Sequence, residues 1–278
     1  MSKTFLLLIF PVIIFAGSIN LSLKNHNGQS SYIVQSPSQN LKSELIFPFK
    51  FNSIDIDYNH SFKYFDITLN SSFFLNDKTA TGKDYDWHNN NLTVFSKSNN
   101  EIDKYYDLGL TVSKNIYNNT NLFIGFNYKV LDMHWSDTYQ EDYVKDENEY
   151  ISGKTLKFQQ EFFIYSVGID YNYNISNKII FNLKPIVMYA FINTKDTHIL
   201  RDFYTIQNTQ SIGYEIPLSL IYKLTFNSNV TISYEYSSLE DDNVDMDYYN
   251  SQNEKFSSFP SSYKYKNSIV GISYSYNF

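Results

Sequence analysis

The amino-acid sequence predicts an all-β protein, a ten-stranded antiparallel up-and-down transmembrane β-barrel with long extracellular loops. Apolar and aromatic side chains alternate with Asn, Ser, Asp, Thr and Lys along most of the 278 residues, which is typical of strands with one apolar face. Short Asn- and Ser-rich turns alternate with long polar connections, the pattern of outer-membrane barrels. The 26 Tyr and 23 Phe residues cluster near the predicted strand ends, where the girdles at the two membrane interfaces require them.

The composition excludes several other classes. Without any Cys, the chain is not a disulfide scaffold, a Cys-based zinc finger or a thiol enzyme. The net charge of −7 argues against a nucleic-acid partner, which would require basic clusters. A mean hydropathy of −0.37 does not exclude a membrane protein, because the polar face of a barrel offsets its apolar face. A soluble β-sandwich is the alternative, but the predicted strands exceed the usual ~5–6 residues of soluble sheets.

The first eighteen residues predict a secretory signal peptide. Lys3 supplies a positive start, residues 5–15 form an unbroken apolar run, and Ala16 to Ser18 are small residues suited to a cleavage site. The alternative is a membrane anchor, but this run is short for the ~20 residues that a spanning helix needs. We therefore expect residues 1–18 to be a signal peptide and residues 19–278 to form one barrel domain.

Ten strands follow in order, each justified by alternation within it and by a turn signal after it. Segments 165–173 and 230–236 alternate without interruption, and Tyr117-Asn-Asn-Thr120 is typical of a tight turn. The terminal Phe278 resembles the assembly signal of bacterial outer-membrane proteins. The predicted strands are 19–35, 41–60, 64–78, 102–116, 121–136, 157–175, 179–195, 207–225, 230–241 and 263–278. Counted with the brief connection 36–40 as the first, the predicted long connections 79–101, 137–156, 196–206 and 242–262 are the second to the fifth.

Two acidic residues in the second long connection form the first candidate site. Asp84 and Asp86 are separated by one residue, so on an extended strand both carboxylates face the same side. Two close carboxylates resist ionising together, and such a pair can hold a water molecule between them. The alternative is a solvated acidic loop, which this spacing alone does not exclude.

The fourth long connection opens with the second candidate site. Asp196 and His198 have the same spacing, and a carboxylate beside an imidazole fixes its orientation and raises its pKa, which makes the His a better general base. In a ten-stranded barrel the second and fourth long connections lie on opposite walls of the mouth. A water between the two pairs would be deprotonated by His198 and held by Asp84 or Asp86, which suits hydrolysis without a covalent intermediate.

These two motifs resemble those of the omptins, outer-membrane endopeptidases built on a ten-stranded barrel. The family carries Asp-x-Asp-Trp in its second outer loop, and this chain has Asp84-Tyr-Asp-Trp87. It carries Asp-x-His at the start of the fourth loop, and this chain has Asp196-Thr-His198. The resemblance implies an aspartyl-type endopeptidase that cleaves extracellular polypeptides. It assigns Asp84 and Asp86 to the carboxylate pair and Asp196 and His198 to the activating pair.

The chain departs from this family at its specificity pocket. Omptins cut beside basic residues with the help of acidic side chains, and a rough alignment puts Gln29 and Thr194 at two of those positions. Both residues are neutral, so the expected substrate-binding residues are Gln29 and Thr194 without a firm preference for Arg or Lys. The resemblance also implies a dependence on lipopolysaccharide, although the segment Tyr128-Lys-Val-Leu-Asp132 lacks the Arg expected there.

The remaining expectations concern partners, and one alternative function stays open. We expect a monomer in the bacterial outer membrane, in contact with its lipid and lipopolysaccharide, with the loops and active site facing the exterior. The five His residues are poorly spaced for zinc, so we expect no metal site and no cofactor. The alternative is a non-enzymatic outer-membrane barrel acting as an adhesin or narrow porin, in which the same four residues are ordinary loop polarity.

Overall fold

The computed structural model describes residues 17–278. The predicted signal peptide therefore lies outside the described residues, except for Gly17 and Ser18, which begin the first strand. The strands are β1 Gly17–Ser36, β2 Leu41–Ser61, β3 Asp66–Asp77, β4 Ala80–His88, β5 Asn91–Tyr117, β6 Thr120–Asp142, β7 Glu147–Asn174, β8 Ile179–Leu183, β9 Ile186–His198, β10 Phe203–Lys223, β11 Ser228–Asn250 and β12 Lys255–Asn277. A short 3₁₀ turn, Pro37–Gln39, joins β1 to β2. Across residues 17–278, we find no helix with the length and apolar character needed to span a membrane.

The strands form one antiparallel, barrel-like sheet. Neighbours along the chain pair with one another, and β1 pairs with both β2 and β12, so the sheet returns to its first strand. β3 and β4 share one position between β2 and β5, and β8 and β9 share another between β7 and β10. The all-β antiparallel class is confirmed. The predicted count of ten is wrong for the strands themselves, because twelve strands occupy ten positions.

Short segments of two residues separate β8 from β9 and β3 from β4. Pro185 separates β8 from β9, since its nitrogen carries no hydrogen for the ladder. The carbonyl of Pro185 still accepts a bond from the Ile169 N–H at 3.2 Å, so the sheet stays joined across the break. Between β3 and β4, the Lys78 N–H donates to the Lys50 carbonyl at 2.8 Å while the register against β2 shifts nearby.

The predicted long connections are mostly strand. Paired strands cover most of 79–101, 137–156 and 242–262, and the turns shrink to short segments such as 143–146 and 251–254. The sequence pattern misleads here because these arms lack an apolar stripe, whereas backbone pairing between strands does not require one. The candidate residues consequently lie on strands rather than on loose loops, which fixes their positions.

The sheet has two zones, which differ in the side chains that face its interior. In one zone apolar residues face outward, as with Leu23 at 54% exposure and Ile124 at 61%, while Lys24 inside bridges Asp55 at 3.1 Å and Glu235 at 2.9 Å. In the other zone aromatic rings from opposite strands fill the interior. The rings of Phe47 on β2 and Phe158 on β7 stack with centroids 3.8 Å apart. Other members of this aromatic core are Tyr32, Phe49, Phe51, Phe162 and Tyr265.

Candidate active site

The Asp84–Asp86 pair lies on β4, beside the aromatic core. β4 pairs with β2 on one side and β5 on the other, which places Asp86 opposite Ser43 and Asp84 opposite Ser96. Both carboxylate residues are half-buried. The Ser43 Oγ hydroxyl lies 3.4 Å from Asp84 Oδ1 and donates a hydrogen bond to it. The i, i+2 spacing therefore acts as predicted, with both side chains on one face of one strand.

The Asp196–His198 pair lies at the end of β9, between β7 and β10. Asp196 is completely buried, whereas the His198 side chain keeps 16% of its exposure. His198 Nε2 lies 3.6 Å from Asp196 Oδ2, which is within ion-pair reach but longer than a hydrogen bond. The His198 ring stacks on Phe203 of β10 with centroids 4.3 Å apart and planes 19° apart. Such catalytic contacts often tighten only when substrate binds.

One cavity connects the two pairs. Asp84 and His198 both line it, and its volume is about 340 Å³, large enough for several water molecules or an amino-acid side chain. The structure therefore brings together residues that stand 114 positions apart in the sequence. Asp86 and Asp196 do not line the cavity, but each lies two residues from a partner that does. Other residues along its wall include Trp135, Glu149, Ile151, Leu156, Leu200 and Arg201.

The electrostatics of Asp196 are dominated by burial. Removal from water raises the pKa of Asp196 from 3.8 to about 7, although a hydrogen bond from the Tyr32 hydroxyl opposes that rise. The other oxygen, Oδ1, has no hydrogen-bond partner within residues 17–278. Asp196 therefore gains or loses its proton near neutral pH, and groups with such perturbed pKa values are common at functional sites.

His198 is held neutral by its surroundings. Burial, together with the positive charge of Arg201, lowers the pKa of His198 from 6.5 to about 3. The neutral imidazole is the form that accepts a proton. Once Asp196 ionises, its negative charge beside Nε2 favours the imidazolium and strengthens His198 as a base.

The Asp84–Asp86 pair shows the mutual repulsion that its spacing predicts. Burial raises the pKa of Asp84 well above its usual value, and the charge of Asp86 raises it again. Burial also raises the pKa of Asp86, while Ser43 and Arg201 act in the opposite direction. Two such carboxyl groups hold a proton between them more readily than either would alone, so the pair can both donate and accept a hydrogen bond to water.

The two expected substrate-binding residues have different environments. Thr194 lies two residues before Asp196 on the same face of β9, and Gln160 Nε2 donates to its Oγ1 at 3.3 Å and to Tyr263 Oη at 2.8 Å. This neutral network closes the interior beneath Asp196. Gln29 lies between Gly28 and Ser30 on β1, and side chains alternate along a strand, so it faces away from the side that carries Ser30. The structure does not bring Gln29 to the site.

Three residues of the site escape prediction from the sequence. Tyr32 is one of 26 tyrosines and Ser43 is one of many serines, so neither carries a signal. Arg201 is different, because it is the only Arg in the chain and follows His198 by three residues. That count, read beside the Asp-x-His motif, would have drawn attention to it. As for metals, the part of the chain from 17 to 278 contains no group of three His, Cys, Asp or Glu residues arranged to hold an ion.

Comparison with known proteins assigns the chain to a family. The model of the Omptin family matches residues 17–278, so the chain belongs to the Omptin family. The resemblance inferred from the two motifs is thereby confirmed. Among solved structures, the chain is similar to the outer membrane protease OmpT from Escherichia coli, with a TM-score of 0.83 and 15% identity over 95% of this chain and 97% of that one.

Other similarities are weaker. The translocator domain of the autotransporter NalP from Neisseria meningitidis aligns with a TM-score of 0.42 and 8% identity, over 95% of this chain and 89% of that one. No individually curated protein sequence matched the chain. At 15% identity, the OmpT structure establishes a shared fold, and the chemistry has to be argued from the residues.

Proposed function

We propose that this chain is an outer-membrane endopeptidase that hydrolyses peptide bonds of extracellular polypeptides. The observation that carries the proposal is the single cavity lined by both Asp84 and His198. Membership of the Omptin family and the fold shared with a protein described as an outer membrane protease support the same conclusion.

The proposed location rests on the distribution of apolar surface. Exposed apolar residues alternate with inward polar ones on most strands, as Leu21 and Leu23 do with Ser22 on β1. This inverted arrangement suits a ten-position barrel whose outer face contacts lipid. Asp84 on β4 and His198 at the end of β9 lie beyond the apolar zone. We infer that the strand arms carrying the active site project from the membrane toward the exterior.

The proposed reaction uses water as the nucleophile. Asp84 and Asp86 hold the water, and the His198 nitrogen that faces away from Asp196 takes one of its protons. The resulting hydroxide oxygen attacks the peptide carbonyl carbon and forms a tetrahedral intermediate. Collapse of this intermediate breaks the C–N bond, and His198 returns the proton to the departing amine. Ionised Asp196 stabilises the transient imidazolium and keeps the ring oriented, so charge and protons balance without a covalent enzyme intermediate.

The interior of the chain favours this proposal over a narrow porin. Phe47, Phe158 and Phe162 are almost completely buried, and they fill the space between the candidate site and the polar interior of the apolar zone. A side-chain-filled interior is usual for small barrels and leaves no wide aqueous channel. We therefore assign the cavity to substrate rather than to ion passage.

We propose that the enzyme has no preference for Lys or Arg beside the peptide bond that it cleaves. Thr194 and Gln160 are neutral, and their network with Tyr263 supplies no carboxylate to attract Lys or Arg. Lipopolysaccharide dependence remains an expectation from the family resemblance, so the assay compares protein with and without it.

A peptide-library assay with refolded protein tests the function. Wild type should cleave, and His198→Ala should lose about 10²–10⁴-fold in rate, because a general base contributes that much. His60→Ala is the matched control, since His60 pairs with Gly17 and Ile67 at the end of β2 opposite to residues 41–46, which pair with β4, and it should leave the rate unchanged. Unchanged cleavage by His198→Ala would refute the mechanism. No cleavage by wild type in lipopolysaccharide, together with ligand adhesion or conductance, would favour the non-enzymatic alternative.

A further inference from the structure

Tyr32 is a buried residue that contacts the catalytic machinery from a strand carrying no family motif. It lies on β1, paired with Leu45 of β2 and Tyr263 of β12, and its exposure is 3%. Its ring packs beside the stacked rings of Phe47 and Phe158, with centroid distances of 6.0 and 6.2 Å. The phenol hydroxyl emerges from this apolar packing and donates a hydrogen bond to Asp196 Oδ2.

The orientation of the Asp196 carboxylate depends on this hydrogen bond. Its side chain is fully buried, and Oδ1 has no hydrogen-bond partner in the described part of the chain. Oδ2 is therefore the oxygen that carries the polar contacts, because it accepts the bond from Tyr32 and also faces His198 Nε2. A rotation of the carboxylate would break both contacts at once, so the phenol fixes the oxygen that His198 needs.

We propose that Tyr32 is a positioning residue that orients the Asp196 carboxylate toward His198 and stabilises its ionised form. The proposal rests on the function proposed above, which makes Asp196 the partner of the catalytic base. It adds a third member to the Asp196–His198 pair, contributed by β1 from across the interior. Tyr32 acts through Asp196 and has no part in holding water or substrate.

Among the titratable groups that face Asp196, Tyr32 is the one that stabilises its ionised form. The titratable groups facing it are Tyr32 from β1, Asp84 from β4, His198 from β9 and Tyr248 from β11. Asp84 repels a second negative charge, and His198 is neutral until it accepts a proton. A donated hydrogen bond favours the charged form of a buried carboxylate. Without the phenol, Asp196 would remain protonated to a higher pH and would not support the imidazolium.

Steady-state kinetics of Tyr32→Phe across pH 4 to 10 test this role. The substitution removes one buried oxygen and keeps the ring packing. We expect kcat at neutral pH to fall about 10-fold or more, KM to stay unchanged, and the acid limb of the kcat profile to move upward by about one to two pH units. Tyr263→Phe is the matched control, because Tyr263 is equally buried but bonds to Gln160 and Ser30 rather than to Asp196. It should leave the acid limb unmoved.

An infrared titration gives a readout that does not depend on activity. The carbonyl band of protonated Asp196, identified by its loss in Asp196→Asn, should persist to higher pH in Tyr32→Phe than in wild type. If Tyr32→Phe does not fold, wild type labelled with 3-fluorotyrosine replaces it, and the more acidic phenol should lower the titration midpoint of that band. An unmoved acid limb and an unmoved band in folded Tyr32→Phe, or equal shifts in Tyr263→Phe, would overturn the proposal. An inactive wild type whose band still responds to Tyr32→Phe would instead refute the peptidase function and keep the contact.

Discussion

Replacing Asp196 by Asn should abolish most of the activity and yet stabilise the fold at high pH. Asp196 is fully buried, and burial moves its pKa from 3.8 to about 7. A carboxyl group whose pKa is raised in the folded state binds its proton more tightly there than in the unfolded chain. Its contribution to stability is therefore complete below pH 4 and is lost as pH rises through 7. Asn has nearly the same shape but no charge to bury, so the stability of the variant does not fall as pH rises through 7.

The size of the effect follows from the pKa values. Each pH unit between the two pKa values changes the free energy of unfolding by ~1.36 kcal/mol, so the interval from 3.8 to about 7 corresponds to ~4 kcal/mol. This is an upper bound for Asp196→Asn, because the Asn amide brings an N–H group that needs its own partner beside Tyr32. We expect a gain of about 1–4 kcal/mol at pH 8 and little or none at pH 4.

Denaturant unfolding of refolded wild type and Asp196→Asn at pH 4 and pH 8 measures this difference. Cleavage assays on the same preparations should show the variant to be nearly inactive. Thr197→Ala is a suitable control, because Thr197 is the neighbour of Asp196 on β9 but points to the other face of the sheet. An equal change in stability at both pH values, or a loss of stability at pH 8, would show that Asp196 is not ionised at a cost in the folded protein.

Three further predictions follow from the same site. The kcat of wild type should rise with pH and reach half of its plateau near pH 7, because Asp196 must ionise to support His198; a rate independent of pH between 5 and 8 would contradict this. Arg201→Gln should raise the pKa of Asp84, because it removes a positive charge that favours the ionised carboxylate. Infrared titration at low and high salt measures this, and Arg201→Lys, which keeps the charge, should show no such rise. Thr194→Asp should increase cleavage beside Lys or Arg in a peptide library relative to Thr194→Asn, at a cost in stability from the buried carboxylate.

The sequence predicts that each candidate pair shares one face of a strand, because each pair is local. Asp84 with Asp86, and Asp196 with His198, sit two residues apart, so the geometry of a strand alone puts each pair on one face. Their meeting across the cavity depends on strand order, and the alternation of short and long connections was sufficient to infer that order. The lengths of the strands were harder to predict, because polar arms such as 80–88 pair through the backbone without an apolar pattern.

Contacts that cross the interior could not be predicted. Tyr32 meets Asp196 over 164 positions of sequence, and nothing near Tyr32 distinguishes it from the other tyrosines. The expectation for Gln29 depended on a rough alignment, and a displacement of one residue on a strand turns a side chain to the opposite face. Ser30 and Tyr32, one and three residues after Gln29, are residues of β1 that are buried in the interior.

The aromatic core connects the stability of the fold to the chemistry of the site. Phe158 lies opposite Asp196 on β7 and stacks on Phe47, so the rings that fill the interior also exclude water from the carboxylate. Burying a Phe side chain contributes about 1.5–3 kcal/mol, whereas ionising Asp196 in the same place costs about 4 kcal/mol at high pH. Since Tyr32 belongs to this core and also donates to Asp196, one residue reduces that cost without opening the interior. The titration of Asp196 near neutral pH is therefore a consequence of packing the candidate site directly onto the core.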